Sequence, residues 1–445
     1  MKRTFKQTDV PWIGAVPEHW EVKRLKFSIS STQTGFWGSE PTGGEDDVLC
    51  VRVADFDRPR LKVSDEIPTV RSVKKSDQVH RILKQGDLLL EKSGGTAVNP
   101  VGFVGIFEGA KSPAISSNFL TRLRLAKGQH PQYWLYAHAA SYVTRLTARS
   151  VKQTTGIQNL DQDSYFDELF PFPPYEEQVA IADYLDRETA QIDTLIDEQR
   201  RLVTLLRERR NAVRTNIATK GTRETSPTRE SGLFWAGELP EHWKVVPLIS
   251  VARLESGHTP SRSRSELWEN CDIPWISLND VSKLSDQEFI SDTTNLISES
   301  GIAASSARIL PAGTVVLSRD ATVGRSSIMA IPMATSQHFA DWVCGPEIDP
   351  RYLWLLFTSA MQPYFDSLTN GSTIRTIGMG HLKSFKVPLP PMVEQREIVD
   401  LATRETGQID TLISESERLI ELSQERRSAL VTAAVTGQLD VRREG

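Results

Sequence analysis

Apolar residues recur at a four-three spacing along two stretches of the chain. In the first, Ile192, Ile196, Gln199, Val203, Leu206, Arg210, Val213 and Ile217 fall on one helical face. In the second, Ile409, Ile413, Ser416, Ile420, Ser423, Arg427, Leu430 and Ala434 fill the same slots. Each stretch follows a proline-rich stop, Phe170-Pro171-Phe172-Pro173-Pro174 or Val387-Pro388-Leu389-Pro390-Pro391, and residues 175–219 contain no Pro or Gly. The spacing predicts two long helices, over 175–221 and from 392 into a tail ending at 445. Forty-odd residues at ~1.5 Å rise make each roughly 65 Å long. Neither stripe can be buried alone, so the two helices are expected to pair as a short coiled coil. Its polar interruptions sit at matched depths (Gln199 with Ser416, Arg210 with Arg427) and would fix register at some cost in stability.

Outside these stretches the pattern is mixed. Val48–Val53, the glycine-led Gly86–Leu90 and the alternating Asn118–Leu125 read as strands. Pro131–Tyr136 opens a helix with proline in its first turn. The same order returns later: Pro274–Leu278 and Ala312–Leu317 as strands, Pro350–Leu355 as a helix start. The fold class expected is therefore α+β, with two mixed domains at 1–174 and 222–391 separated by the helices. Residues 220–232 read as a polar linker.

The recurrence extends to words. Trp12-Ile13-Gly14-Ala15-Val16-Pro17-Glu18-His19-Trp20 returns as Trp235-Ala236-Gly237-Glu238-Leu239-Pro240-Glu241-His242-Trp243, an offset of 223. Pro173-Pro174-Tyr175-Glu176-Glu177-Gln178 returns as Pro390-Pro391-Met392-Val393-Glu394-Gln395, and Gln191-Ile192-Asp193-Thr194-Leu195-Ile196 as Gln408-Ile409-Asp410-Thr411-Leu412-Ile413, both at 217. The copies are collinear, so one chain holds two like modules. Residues matched across the repeat are expected to serve the shared fold. Diverged stretches are free to differ in what they bind.

The 445 residues, 39% hydrophobic and 24% charged, suit a globular protein. No apolar run approaches the roughly 20 residues of a membrane span, and the basic Met1–Lys6 start has no apolar stretch behind it, so a cytoplasmic location is expected. Three scattered cysteines offer no zinc spacing. The net charge of −5 argues against nucleic acid until it is divided. Residues 1–150 hold 22 Lys/Arg against 15 Asp/Glu, and residues 222–375 hold 12 against 18. Phosphate binding depends on local basic faces. The first module satisfies that at once; the second needs a local patch or a partner.

No catalytic or metal constellation emerges. Phe172-Pro173-Pro174-Tyr175 imitates an amino-methyltransferase loop, but a polar residue must stand where Phe172 and, in the repeat, Leu389 are found. No glycine-rich cofactor turn precedes either. Asp9, Glu21 and Lys23 mimic a nuclease site, yet the repeat replaces the last two by Lys244 and Val246. Asp87, Glu91 and Lys92 make no better site. Phosphate-loop and His-Glu-x-x-His motifs are absent. His19 and His242, beside tryptophan, read as packed or capping groups.

The doubled Pro-Glu-His-Trp, Pro-Pro-x-x-Glu-Gln and Gln-Ile-Asp-Thr-Leu-Ile, in order and over the whole length, resemble the specificity subunit of type I restriction–modification enzymes. The resemblance implies a non-catalytic subunit with two target-recognition domains, each reading half of a bipartite double-stranded DNA target. It implies that the helices pair antiparallel, set the spacing and dock two modification subunits. S-adenosylmethionine would sit on those subunits; two restriction subunits, using ATP and Mg, would join for cleavage. No cofactor is expected on this chain. Helix residues Gln178, Asp193, Arg209, Gln395, Asp410 and Arg426 are the candidate partner contacts. Base readout needs amide and basic side chains at groove edges. These cluster at Lys92, Ser93, Ser116, Asn118, Lys152 and Gln153 in the first module. Ser318, Arg319, Gln337, His338, Arg375 and Thr376 are their counterparts in the second. The competing readings are a two-headed coiled-coil adaptor and a fused methyltransferase.

Overall fold

A computed structural model describes residues 4–96, 98–154, 157–222, 227–369 and 376–443. The chain divides into two units, residues 1–200 with 417–445, and residues 201–416. Each unit therefore takes one mixed domain together with a part of each long helix.

The first domain is built on a sheet of six strands. Their order is Ile29–Thr34, Leu120–Leu125, Leu88–Glu91, Val104–Ile106, Lys62–Val63 and Phe56–Asp57. Its centre, Leu88-Leu89-Leu90, is buried on both faces, as a covered strand requires. Helix Pro131–Val143 packs against it, carrying buried Tyr133, Trp134 and Tyr136 into the core. Two three-stranded sheets accompany it, one of Ala114–Ser116, Asp47–Val51 and Val70–Ser72, the other of Ser93–Gly95, Ile157–Leu160 and Val151–Thr154.

The second domain repeats the plan. Its main sheet runs Ala252–Glu255, Phe339–Cys344, Val315–Ser318, Ser326–Met329 and Phe289–Ile290. Its second sheet runs Asn295–Ile297, Ile273–Ile276 and Ala334–Thr335. Helix Pro350–Thr358 takes the place of Pro131–Val143. The expected helix starts fall at Pro131 and Pro350 themselves, and the five expected strands are found with ends shifted by at most three residues.

The supposed linker is different. Within it, Thr228–Glu230 is a strand paired antiparallel with Glu238–Pro240, as Phe5–Gln7 pairs with Ala15–Pro17. A polar segment can be a strand when its backbone groups find a ladder, and here the hairpin supplies one.

The long helices span Tyr175–Lys220 and Met392–Val435, 46 and 44 residues. In the second unit Val203 packs with Ile409 and Ile413, while Gly221 lies against Glu394, so the helices run antiparallel. In the first unit the Tyr133 hydroxyl donates to Pro171, ahead of the first helix, and to Val435, at the end of the second. The buried helix positions Ile196, Val203, Ile217, Ile409, Ile413, Ser416, Ser423 and Ala434 belong to the stripe read from the sequence. Among the described residues no helix is long and apolar enough to cross a membrane, and no group of three or more His, Cys, Asp or Glu is placed to hold a metal ion.

Candidate nucleic-acid interface

The doubled motifs explain how each domain is held to its helix. In the first unit Trp20 Nε1 donates to Glu177 Oε2 at 3.0 Å, and His19 Nε2 lies 2.6 Å from Glu177 Oε1. In the second, Trp243 Nε1 donates to Glu394 Oε1 at 3.1 Å, and His242 Nε2 lies 2.9 Å from Glu394 Oε2. Burial pushes the Glu177 carboxyl up. The bonds from His19 and Trp20 and the nearby charge of Arg442 outweigh it, leaving the group below its ordinary value.

The neighbouring glutamines are equally internal. Gln178 is buried; it accepts from His130 N at 2.9 Å and donates to Pro173 O and Gln129 Oε1. Gln395 is buried; it accepts from Asp349 N at 2.8 Å and donates to Glu347 O and Pro390 O. Both satisfy the backbone N–H of the residue just before an earlier helix, His130 before Pro131–Val143 and Asp349 before Pro350–Thr358. Asp193 and Asp410 pair with Arg427 and Arg210. Gln178, Gln395, Asp193 and Asp410 are four of the six candidate partner contacts. Their polar groups are engaged inside the chain, so they hold the fold. Arg209 and Arg426 are exposed on the helices.

The candidate readers converge at one end of each main sheet through the same backbone frame. In the first domain Lys92 N donates to Phe119 O at 2.9 Å, and Leu160 N donates to Lys92 O at 2.8 Å. In the second, Arg319 N donates to His338 O at 3.0 Å, and Ile377 N donates to Arg319 O at 2.8 Å. Ser117 N reaches Val51 O at 2.8 Å, and Ser336 N reaches Ile276 O at 2.9 Å. So Lys92 corresponds to Arg319, Asn118 to Gln337 and Phe119 to His338. Three segments far apart in sequence meet at each face.

Side chains differ where the frame agrees. Lys92 is half-buried, and burial lowers its ammonium below an ordinary lysine. No ion-pair partner lies beside it among the described residues. Ser93 Oγ donates to Asn159 Oδ1 at 2.6 Å, which adds Asn159 to the face; no periodicity marked that short polar strand. Asn118 and Phe119 are exposed. Lys152 is engaged with Asp161 at 2.7 Å and holds that carboxyl well down, at about 2. In the second domain Arg319 lies 4.0 Å from Asp320, and Asp320 also holds His338 Nδ1 at 2.9 Å. Gln337 is exposed, and Thr376, exposed too, bridges to Asp320 through its backbone.

Two expected readers point inward. Ser116 is buried in its strand, and buried Ser318 donates to Asp320 O at 3.2 Å, so both support the loops rather than face a ligand. Arg375 and the side chain of Gln153 lie outside the described residues. Asp87 and Glu91, the second group of carboxylates weighed as a catalytic site, are also accounted for. Asp87 accepts from Arg124, and buried Glu91, whose carboxyl burial raises despite its partner, accepts from Arg58 at 2.6 Å.

Known proteins share this organisation. Residues 240–419 match the family model described as the type I restriction modification DNA specificity domain. Over 436 residues, 96% of this chain and 94% of the relative, the sequence is 24% identical to the type I restriction enzyme MjaVIII specificity subunit of Methanocaldococcus jannaschii. It is 31% identical to the MjaIX specificity subunit of the same organism over 163 residues, 36% of this chain and 37% of that one. The fold is similar, with a TM-score of 0.62 and 18% identity over 95% of this chain and 99% of the other, to a chain in a solved structure describing complex assembly and conformational transition of the type I R-M system. With its doubled motifs and paired helices, the chain is similar over nearly its whole length to specificity subunits of type I restriction–modification enzymes.

Proposed function

We propose that each domain reads one half of a bipartite double-stranded DNA target, and that the antiparallel helices set the unread gap. One observation carries this reading: the same hydrogen-bonded frame presents Lys92, Asn118 and Phe119 in one domain and Arg319, Gln337 and His338 in the other. A shared frame with different side chains is what two readers of two sequences require. Lys92 and Arg319 suit guanine edges or phosphates, and Asn118 and Gln337 suit adenine edges. The half-buried Lys92 is desolvated in advance, which strengthens any charge-assisted bond it makes to DNA.

The exposed helix faces carrying Arg209 and Arg426 dock two modification subunits, which bring S-adenosylmethionine. Two restriction subunits, with ATP and Mg, complete the assembly for cleavage, in the cytoplasm. The acidic balance of the second domain makes its DNA affinity depend more on those partners than that of the first.

The test is binding by the chain reassembled with its modification subunits to DNA with two randomised half-sites. Selection of two short sequences at a fixed gap supports the reading. Salt-insensitive association without sequence preference would instead mark the chain as a protein adaptor.

A further inference from the structure

A fourth segment reaches each face, and the proposed function gives it no role. In the first domain it follows strand Ile29–Thr34, where Gly35 N donates to Leu120 O at 3.0 Å and Phe36 N to Ser116 O at 2.8 Å. In the second it follows Ala252–Glu255, where His258 N donates to Thr335 O at 3.1 Å. A side chain at Gly35 would place Cβ 2.1 Å from Ser117 O, and one at Gly257 would place it 1.8 Å from Thr335 O. Both glycines lie flat against the segment that carries Asn118 or Gln337, and only glycine permits that approach.

Beyond this matched glycine the chemistry diverges. The first domain has Phe36 and Trp37, each 39% exposed. Each ring is backed by a guanidinium, Arg81 at 5.3 Å from Phe36 and Arg71 at 4.6 Å from Trp37. A stacked cation restricts a ring while leaving its other face open. The second domain has His258 and Thr259, and Thr259 Oγ1 donates to Gln337 Oε1 at 2.6 Å. That bond occupies part of the acceptor capacity of the Gln337 amide and fixes its orientation.

We propose that these segments set specificity. Phe36 and Trp37 make apolar contacts to bases of the half-site read by the first domain, and Thr259 is a positioning residue that fixes which hydrogen-bond pattern Gln337 presents. This rests on the reading of the two faces as DNA-binding. In a duplex, whose base faces are stacked on one another, the thymine methyl in the major groove is the group that apolar rings can recognise. An amide whose oxygen is held by Thr259 presents its nitrogen, which lies 3.3 Å from His338 Nε2 and so keeps one of its two protons for an acceptor on a base edge.

The experiment uses the chain with its modification subunits and competition binding over randomised half-sites. Thr259→Val, nearly isosteric, is expected to cost about fivefold or more in discrimination at one position, the position that Gln337→Ala also affects. Thr259→Ser, which restores the donor, should recover it. Trp37→Leu and Phe36→Leu should relax positions in the other half-site only. Where they do, deoxyuridine in place of thymidine in the DNA should reproduce the loss; a loss that appears only with the variants would show that the rings do not contact the methyl group. If Thr259→Val and both leucine variants leave every preference intact while Lys92→Ala and Arg319→Ala change theirs, the fourth segment is merely structural. If none of these variants changes any preference, the reading of the faces itself falls.

Discussion

Arg427 donates from Nε and Nη2 to the two carboxylate oxygens of Asp193, at 2.8 and 3.2 Å, joining the second long helix to the first. Its repeat-mate Arg210 donates to Asp410 Oδ1 at 2.7 Å. Thus the Asp of each Gln-Ile-Asp-Thr meets the Arg that interrupts the other stripe. The two pairs are not equal. Arg427 and Asp193 are 16% and 21% exposed, against 35% and 48% for Arg210 and Asp410. Removing one member of a poorly solvated pair strands the other, so Asp193→Ala should destabilise the first unit by ~2 kcal/mol. Asp410→Ala should cost under about 1 kcal/mol. Hydrogen exchange of the helix amides around each site measures both, and equal losses would contradict the asymmetry.

The stripe, its polar interruptions and both helix spans were legible because a period of three to four residues survives over forty positions. Three strands of the first domain and two of the second were legible from alternation and glycine-led turns; the others are too short or too irregular to carry a period. The identity of the shared glutamines was legible, but not their use. A residue repeated for the fold and one repeated for a partner look alike in a single sequence, and only burial separates Gln178 from Arg209. The same limit applies within Pro-Glu-His-Trp. Glu18 is exposed, whereas the acid that Trp20 and His19 hold is Glu177, 157 residues beyond Trp20. The third strand group of the first face, with Asn159, escaped notice because short polar strands carry no periodic signal.

The clamp on Glu177 carries a pH signature. Its carboxyl is held below the ordinary 4.5, so the unfolded chain binds a proton first. The stabilisation is present above the ordinary value and is lost as pH falls through the lowered one. Thermal melts of the full chain should fall more steeply on acidification below that value than those of Glu177→Gln. Parallel pH profiles would show that the contact contributes nothing.

Asp341 carries the opposite signature. It is fully buried, and burial raises its carboxyl from 3.8 to about 8; the Thr335 hydroxyl, 2.5 Å away, lowers it in part and the charge of Glu255 raises it further. The folded chain holds the proton more tightly than the unfolded chain. Stability from this group is full below the ordinary value and declines as pH rises toward about 8. Asp341→Asn should flatten that decline and raise the melting temperature of the second unit at alkaline pH. A wild-type profile that rises across the same interval would exclude a neutral Asp341.

Lys92→Ala and Arg319→Ala separate the two uses of a basic side chain. A base contact should cost about 1–3 kcal/mol and relax one position of one half-site. A phosphate contact should weaken all sequences alike and reduce the salt slope by about one. Binding titrations at several salt concentrations distinguish the two, and a change in the half-site read by the other domain would contradict the pairing of residues with faces.

In the proposed function one domain reads one half-site. The most direct measurement exchanges residues 244–375 for the equivalent region of a relative, reassembles the chain with its modification subunits, and selects bound DNA from randomised half-sites. One half of the recognised sequence is expected to change while the other half, governed by residues 24–153, and the gap between them stay as they were. A change in both halves, or in neither, would contradict that assignment.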